Sequence, residues 1–313
     1  MTGPVSVDWA ATLSEWSLRC PSCKTATLTD RETTLDCQAC KSTFALRDGV
    51  AHLMDFDTRP DLKDFALVYQ DIRQAEGYTG RGSVCYRALP KQIEKDADSR
   101  IWRIRRRSFD MFKRLLTRSV PRGGKVLDLG SGNGWLSHNL AMLGYRPMGM
   151  DINADPDDGL AALRHYDLRW PAVLTSFDDL PLAEGTADLA VFNGSLHYST
   201  NIEATLAEVF RVLKPGGSIV ILDTPIYRDP TSGAAMMEER RRHYLATHGH
   251  VTTLDTAGYL SWAQIGGWSQ RFDCRVDTLR PWYGVKWALR PLMARVLGTR
   301  EPASFALIVL TKE

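Results

Sequence analysis

An apolar run that ends in a glycine turn and then opens a helix leaves a chain few folds to choose from. Residues Val126 to Ser137 read Val-Leu-Asp-Leu-Gly-Ser-Gly-Asn-Gly-Trp-Leu-Ser. Glycines at 130, 132 and 134 permit backbone angles closed to other residues and remove the Cβ atoms that would hold a ligand away. The N–H groups opening the next helix then face the space above the strand end, which in open α/β sheets is where ligands bind. A second acid follows: Asp151, in Met148-Gly149-Met150-Asp151-Ile152, ends the next apolar run at the spacing where a carboxylate grips a ribose hydroxyl.

Two other phosphate-binding designs share this layout and fail on detail. A nicotinamide fingerprint puts its third glycine where Trp135 stands, with Gly134 one place too early. No Lys-Ser/Thr pair follows the turn, which removes the P-loop. Beyond the turn, apolar runs at Lys125–Leu129, Arg146–Met150, Ala172–Thr175, Ala187–Phe192 and Ser218–Leu222 read as strands. Helical stretches near Trp135–Leu143, Asp157–His165 and Ile202–Leu213 separate several of them. Such alternation predicts right-handed crossovers and a largely parallel sheet.

Four of the six cysteines form Cys20-x2-Cys23-x13-Cys37-x2-Cys40. Paired knuckles of this spacing bring four thiolates within tetrahedral reach of one ion, and zinc is the usual occupant. Two disulfides are the rival reading for a secreted chain. Met1 to Trp16 lacks a basic segment followed by a long apolar run, and no stretch approaches the roughly 20 apolar residues of a membrane span. The expectation is therefore a cytoplasmic protein with Zn2+ at Cys20, Cys23, Cys37 and Cys40. Short β-prone runs around an Asp48-Gly49 turn predict a three-stranded zinc ribbon ending near Met54. So small a unit draws its stability from the metal.

Leu127 to Gly134, hydrophobic-Asp-hydrophobic-Gly-x-Gly-x-Gly, resembles the first motif of class I S-adenosylmethionine-dependent methyltransferases of the type 11 kind. Leu180-Pro181-Leu182 followed by Thr186-Ala187-Asp188-Leu189, and Val212-Leu213-Lys214-Pro215-Gly216-Gly217, resemble later family motifs. The cysteine segment is similar to the zinc-ribbon and Trm112-like modules attached to several bacterial members. The resemblance implies an α/β fold: a Rossmann-like seven-stranded sheet, closed by an antiparallel hairpin from Phe272–Thr278 and Ser304–Leu310. It divides the chain into a ribbon over 1–56, a helical lid over 57–122 and a methyltransferase domain over 123–313.

The same resemblance implies a cofactor set of Asp128, Gly130, Ser131, Gly132, Gly134, Asp151, Ile152 and Asn193. Family members place an aspartate five residues before the Leu-Pro pair to meet the adenine amino group. Ser176 stands at that position here, so Ser176, Phe177 and Asp178 become the candidates. His197, in Asn193-Gly194-Ser195-Leu196-His197-Tyr198, lies where the family holds the transferring methyl, and its titration range suits an acceptor's base. The competing reading packs it beneath the cofactor without proton transfer.

Ahead of the first strand, Leu62, Phe65, Ala66 and Tyr69 form one apolar helical stripe, and Ile101, Ile104, Ser108, Met111, Phe112 and Leu115 form another. A glycine loop over Glu76 to Val84 lies between them. The second stripe's helix also carries Arg100, Arg103, Arg105, Arg106, Arg107, Lys113, Arg114 and Arg118. That is either a solvated face knitted by salt bridges or a basic groove. Pro281 to Met293 mixes aromatics with bases, which suits peripheral membrane contact, an apolar acceptor, or cover over the core.

A net charge of +2 gives no whole-surface case for a polyanion. The leading expectation is methyl transfer to a small-molecule or lipid-like acceptor. An RNA base methyltransferase and a non-catalytic protein whose zinc ribbon binds a protein partner remain the alternatives.

Overall fold

The computed structural model describes residues 7–77, 82–91, 99–249 and 251–313; at 99 and 100 it describes the backbone only. Helix α1 (Trp9–Glu15) is capped by Asp8, whose Oδ1 accepts the Ala11 N–H at 2.9 Å. Strands β1 (Leu28–Asp30), β2 (Thr34–Cys37), β3 (Thr43–Arg47) and β4 (Val50–His52) follow as an antiparallel ladder. The ribbon thus has four strands where three are expected. The fourth, β4, leaves the module to pair in parallel with β7 (Ala172–Leu174), Ala51 opposite Val173.

Helices α2 (Pro60–Ala75), α3 (Ser83–Ala88) and α4 (Ser99–Ser119) precede the parallel core. Of the glycine loop expected over 76–84, positions 78–81 lie outside the described residues. The core runs β5 (Lys125–Leu129), α5 (Trp135–Met142), β6 (Arg146–Asp151), β7, β8 (Ala187–Asn193), α6 (Ile202–Val212) and β9 (Leu213–Leu222). The helix expected near Asp157–His165 is a single 3-10 stretch, Leu160–His165. The acids before it fold into turns instead, as Asp155 Oδ1 accepts the N–H groups of Asp157 and Asp158. The Lys-Pro-Gly-Gly turn is absorbed into the start of β9, with the register slipping between Ala187 and Leu189 of its partner.

After β9 come β10 (Ile226–Tyr227), α7 (Pro230–His248), β11 (Leu260–Ser261), α8 (Trp262–Phe272), β12 (Cys274–Leu279), α9 (Val285–Ala288), α10 (Arg290–Val296) and β13 (Leu307–Lys312). The 11-stranded sheet has the order β1-β2-β3-β4-β7-β6-β5-β8-β9-β13-β12. Its last seven members form the expected methyltransferase sheet, and β13 runs antiparallel to both neighbours. β5 touches β6 on one side and β8 on the other, so the chain reverses its winding there and opens a crevice at the strand ends.

Strand alternation sorts the core onto two faces. Val126, Leu189, Val191, Val220 and Leu222 pack with α4 and α5, while Leu127, Leu129, Ala190, Phe192 and Ile221 pack with α6, α8 and the ribbon. On α4 the buried face is Trp102, Phe109, Phe112 and Leu116; Ile101 is exposed and Met111 and Leu115 are half-buried. Of the expected stripe Ser108 and Phe112 are buried, and the rest of the buried face is turned onto Trp102, Phe109 and Leu116. The rings of Trp102 and Phe109 remove more apolar area from water than Ile101 and Ile104 would.

Candidate functional site

The glycine turn bends over the end of β6, with the N–H groups of Gly130 and Ser131 both donating to Met150 O, at 2.8 and 3.0 Å. All three glycines have positive φ, but for different physical ends. A Cβ on Gly130 would stand 2.3 Å from Ser195 Cβ, and one on Gly134 would stand 2.7 Å from the Trp170 ring. On Gly132 the nearest atom would be Asp158 O at 3.8 Å. Gly130 and Gly134 thus let protein pack against the turn, and Gly132 leaves open space. Gly134 does not line the cleft; Gly130, Ser131, Gly132, Asp128, Asp151, Ile152, Ser176, Phe177, Asp178 and Asn193 do.

Each carboxylate in this cleft is held by named donors. Asp151 Oδ2 accepts the Gly132 N–H at 2.8 Å and Oδ1 the Asn153 N–H at 2.9 Å. Burial still pushes its carboxyl up to about 6. Asp128 Oδ2 accepts the Ser137 hydroxyl at 2.7 Å, and burial drives that carboxyl up to about 7. Asp178 is committed to structure: Oδ1 accepts from Thr205 at 2.5 Å and Oδ2 from Ser176 at 3.3 Å. Ser131 Oγ and Asn193 Oδ1 are buried without a partner. Two orphaned polar atoms beside an open glycine suit a ligand that carries its own donors and acceptors.

Helix α2 roofs the cleft with Leu62, Phe65, Ala66 and Tyr69. It is pinned by a buried ion pair, Arg73 Nε to Asp158 Oδ2 at 2.6 Å. Tyr198 meets Phe65 and Tyr69 edge-on, at centroid distances of 5.5 and 5.7 Å, and those two rings stack on each other. Beyond this aromatic seam lies a cavity of about 700 Å³, walled by α2, α7 and the 251–259 segment. Phe65, Tyr69, Arg73, Arg105, Gly194 and Tyr198 face both spaces.

His197 lines the second cavity and not the cleft. It is buried with Nδ1 unpartnered, and burial, helped by Arg240 and Arg105, lowers its pKa to about 3. The imidazole is therefore neutral at any ordinary pH. Asp223, which the sequence reading passes over, stands in the same wall directly after β9, at φ +54. Its Oδ1 accepts the Ser108 hydroxyl at 2.5 Å, and the Tyr283 hydroxyl lies 2.8 Å from the same Ser108 oxygen. Its Oδ2 is buried and unpartnered, and burial raises its pKa. Left-handed backbone is unusual for any residue with a side chain, though aspartate tolerates it better than most. The one signal available beforehand is that Asp223, like Asp151, terminates an apolar strand.

Residues 127–221 match the family described as "Methyltransferase domain". A dimethylglycine N-methyltransferase from Parasynechococcus marenigrum is 36% identical over 113 residues, which is 33% of this chain and 39% of that protein. A demethylmenaquinone methyltransferase from Corynebacterium kroppenstedtii is 30% identical over 169 residues, 53% of this chain and 70% of that protein. The chain belongs to the class I S-adenosylmethionine-dependent methyltransferases. Among solved structures, the geranyl diphosphate C-methyltransferase from Streptomyces coelicolor A3(2) shares the fold at TM-score 0.51 and 15% identity, covering 81% of this chain and 98% of that one. The chain spans between 38% and 58% of the length of the first curated relatives it matches.

The methyltransferase's N-terminal module gathers Cys20, Cys23, Cys37 and Cys40 so that all four sulfurs lie within 4.8 Å of one another. Cys20 and Cys40 are 3.6 Å apart, Cys23 and Cys37 3.5 Å. A tetrahedron of thiolates about 2.3 Å from zinc has edges of about 3.8 Å, so the donor set fits that ion. Lys24 and Lys41, the residues after each knuckle, take φ +62 and +65, the angle that glycine adopts most easily. Lys24 reaches across to Asp179, Nζ to Oδ1 at 2.7 Å, tying the knuckle to the loop that carries the adenine candidates. Among the described residues no helix is long and apolar enough to cross a membrane.

Proposed function

We propose that the chain methylates a small-molecule or lipid-like acceptor held in the 700 Å³ cavity, acting in the cytoplasm and releasing S-adenosylhomocysteine. The observation that carries this reading is the common wall between cleft and cavity, Phe65, Tyr69, Gly194 and Tyr198. It sets donor and acceptor spaces side by side behind a water-excluding aromatic seam. Relatives named for dimethylglycine and demethylmenaquinone are consistent with an acceptor of this size class. Ribbon (1–56), lid (57–122) and catalytic domain (123–313) are the working division, with zinc on the four cysteines.

Bound S-adenosylmethionine supplies a methyl group already activated by its sulfonium. The protein's own residues then bind, orient and move a proton. Asp151 takes the ribose hydroxyls, and Gly132 with Ser131 and Gly130 admits the methionyl end. Asn193 Oδ1 and Asp128 receive its ammonium, while Ile152, Ser176 and Phe177 flank the adenine. Asp178 holds Ser176 in place. Gly134 supports the turn from behind.

For the acceptor's proton, Asp223 Oδ2 is the better receiver than His197: it is unpartnered and stands in the cavity wall, and burial raises its pKa. His197, held neutral with a pKa of about 3, shapes the wall. Arg105 and Arg240, in the same wall, favour an acceptor with an anionic group.

Calorimetric titration of the zinc-loaded protein with S-adenosylhomocysteine tests the cleft. Wild type binds, and Asp151→Ala weakens binding at least about tenfold. Release of S-adenosylhomocysteine with quinols, small amines and ribosomal RNA as acceptors tests the cavity. Turnover should fall about 100-fold or more in Asp223→Asn with cofactor affinity unchanged. A folded wild type that binds no S-adenosylhomocysteine refutes the enzyme reading and leaves the zinc-ribbon partner. Turnover with RNA alone refutes the acceptor class.

A further inference from the structure

Helix α10 wears its apolar stripe on the outside. Leu289, Leu292, Met293, Val296 and Leu297 follow the i, i+3, i+4, i+7, i+8 spacing that normally seats a helix on a core. Yet every one of them is between 45% and 77% exposed. Trp282 and Val285, just ahead, are 66% and 64% exposed. The segment is nevertheless fastened to the body. Trp287 lies beneath the Arg290 guanidinium at 4.0 Å and packs on Phe305 at 5.6 Å, and Tyr283 bonds Ser108 of α4. So the ridge is presented, not frayed.

Its charge is as one-sided as its hydrophobicity. From Arg280 to Arg300 the sequence has no aspartate or glutamate, while Lys286 and Arg295 are exposed. The basic face of α4 adjoins it, since the Arg107 guanidinium sits 3.5 Å from where a Cβ on Gly284 would stand. Lys113 pairs with Asp110, but Arg103, Arg106 and Arg107 have no carboxylate partner among the described residues.

We propose that α9, α10 and the adjoining face of α4 dock the protein on a membrane leaflet that carries anionic lipids. The leucine, methionine and valine ridge enters the interface between headgroups and acyl chains, and the arginines and lysine meet the phosphates around it. A second copy of the chain is disfavoured as occupant, because a symmetric pairing would set this acid-free surface against itself. RNA would use the arginines and the single exposed ring of Trp282, but the leucine, methionine and valine side chains that make up the ridge give a base no π-face to stack on. The docking does not depend on which acceptor the cavity takes.

Co-sedimentation of the full zinc-loaded chain with vesicles decides it. Binding should be strong to phosphatidylcholine vesicles carrying about one third phosphatidylglycerol, weak to phosphatidylcholine alone, and reduced by salt. Leu292→Asp with Val296→Asp, and separately Arg103→Glu with Arg106→Glu, should each weaken binding more than about tenfold. Both pairs are exposed, and unchanged S-adenosylhomocysteine affinity confirms their folding. Absence of binding to the anionic vesicles, or binding that neither pair alters, overturns the proposal. So does a dimer in sedimentation that Leu292→Asp with Val296→Asp dissolves, or salt-sensitive RNA binding without vesicle binding.

Discussion

Replacing Gly132 and Gly134 by alanine, one at a time, separates ligand space from packing space within a single turn. At Gly134, φ is +76 and the new Cβ meets the Trp170 ring at 2.7 Å. Left-handed backbone costs an L-residue roughly 1–2 kcal/mol, and forcing a methyl into a packed wall costs roughly 1–3 kcal/mol more. The expected loss is about 2–5 kcal/mol of unfolding free energy. At Gly132, φ is +50 and the Cβ meets nothing nearer than 3.8 Å, so only the backbone term applies, about 1–2 kcal/mol. That methyl, however, enters the cleft, and S-adenosylhomocysteine affinity should drop at least about tenfold. Urea denaturation gives the first quantity and calorimetric titration the second. The order must be Gly134→Ala worse for stability, Gly132→Ala worse for binding. If Gly132→Ala binds like wild type, or Gly134→Ala unfolds at the wild-type urea concentration, the division of labour in the turn is wrong.

Two further predictions concern stability. Asp128's carboxyl is raised by burial to about 7, so the folded state holds a proton that the unfolded chain releases near pH 4. Stability of the ligand-free protein should decline as pH rises from about 4 to about 7 and then level off. Asp128→Asn, which can still accept the Ser137 hydroxyl, should make that decline shallower in pH-dependent urea titrations, leaving the part contributed by Asp151, whose carboxyl burial raises to about 6. Lys41→Gly relieves a left-handed lysine at φ +65 and should stabilise the zinc-loaded ribbon by about 1 kcal/mol, seen as slower zinc release to a chelator. An unchanged or faster release would show that the lysine side chain contributes more than its backbone angle costs.

What the sequence made legible was local or periodic. The glycine turn, Asp151 at the next strand end, the strand–helix alternation and the cysteine knuckles all announce themselves within a few residues of one another. On α4 the periodicity finds Ser108 and Phe112 but not Trp102, Phe109 and Leu116, because two apolar stripes compete on that helix and spacing alone does not weigh a tryptophan against an isoleucine. Asp178 offered itself for adenine by position, but Thr205, 27 residues on, occupies one of its oxygens. Asp223 was passed over because its setting is assembled from Ser108 and Tyr283, distant in the chain and joined only by folding. In α10 the helical period was present and its direction was not. A stripe does not say whether it faces in or out, and the exposure of Leu292, Met293 and Val296 in the folded chain decides that.

The pairing of β4 with β7 has a consequence for solubility. Without β4 the catalytic sheet would end at Ala172-Val173-Leu174, a short, apolar strand with its N–H and C=O groups free to recruit another chain. Val50 to His52 caps that edge, and zinc bound as proposed by Cys20, Cys23, Cys37 and Cys40 would hold the cap in place. Loss of the ion would then do more than loosen a small appendage: it would uncover a template for intermolecular strand addition. Zinc shortage would reach this protein first through aggregation and abundance, before any change in the chemistry of the cleft.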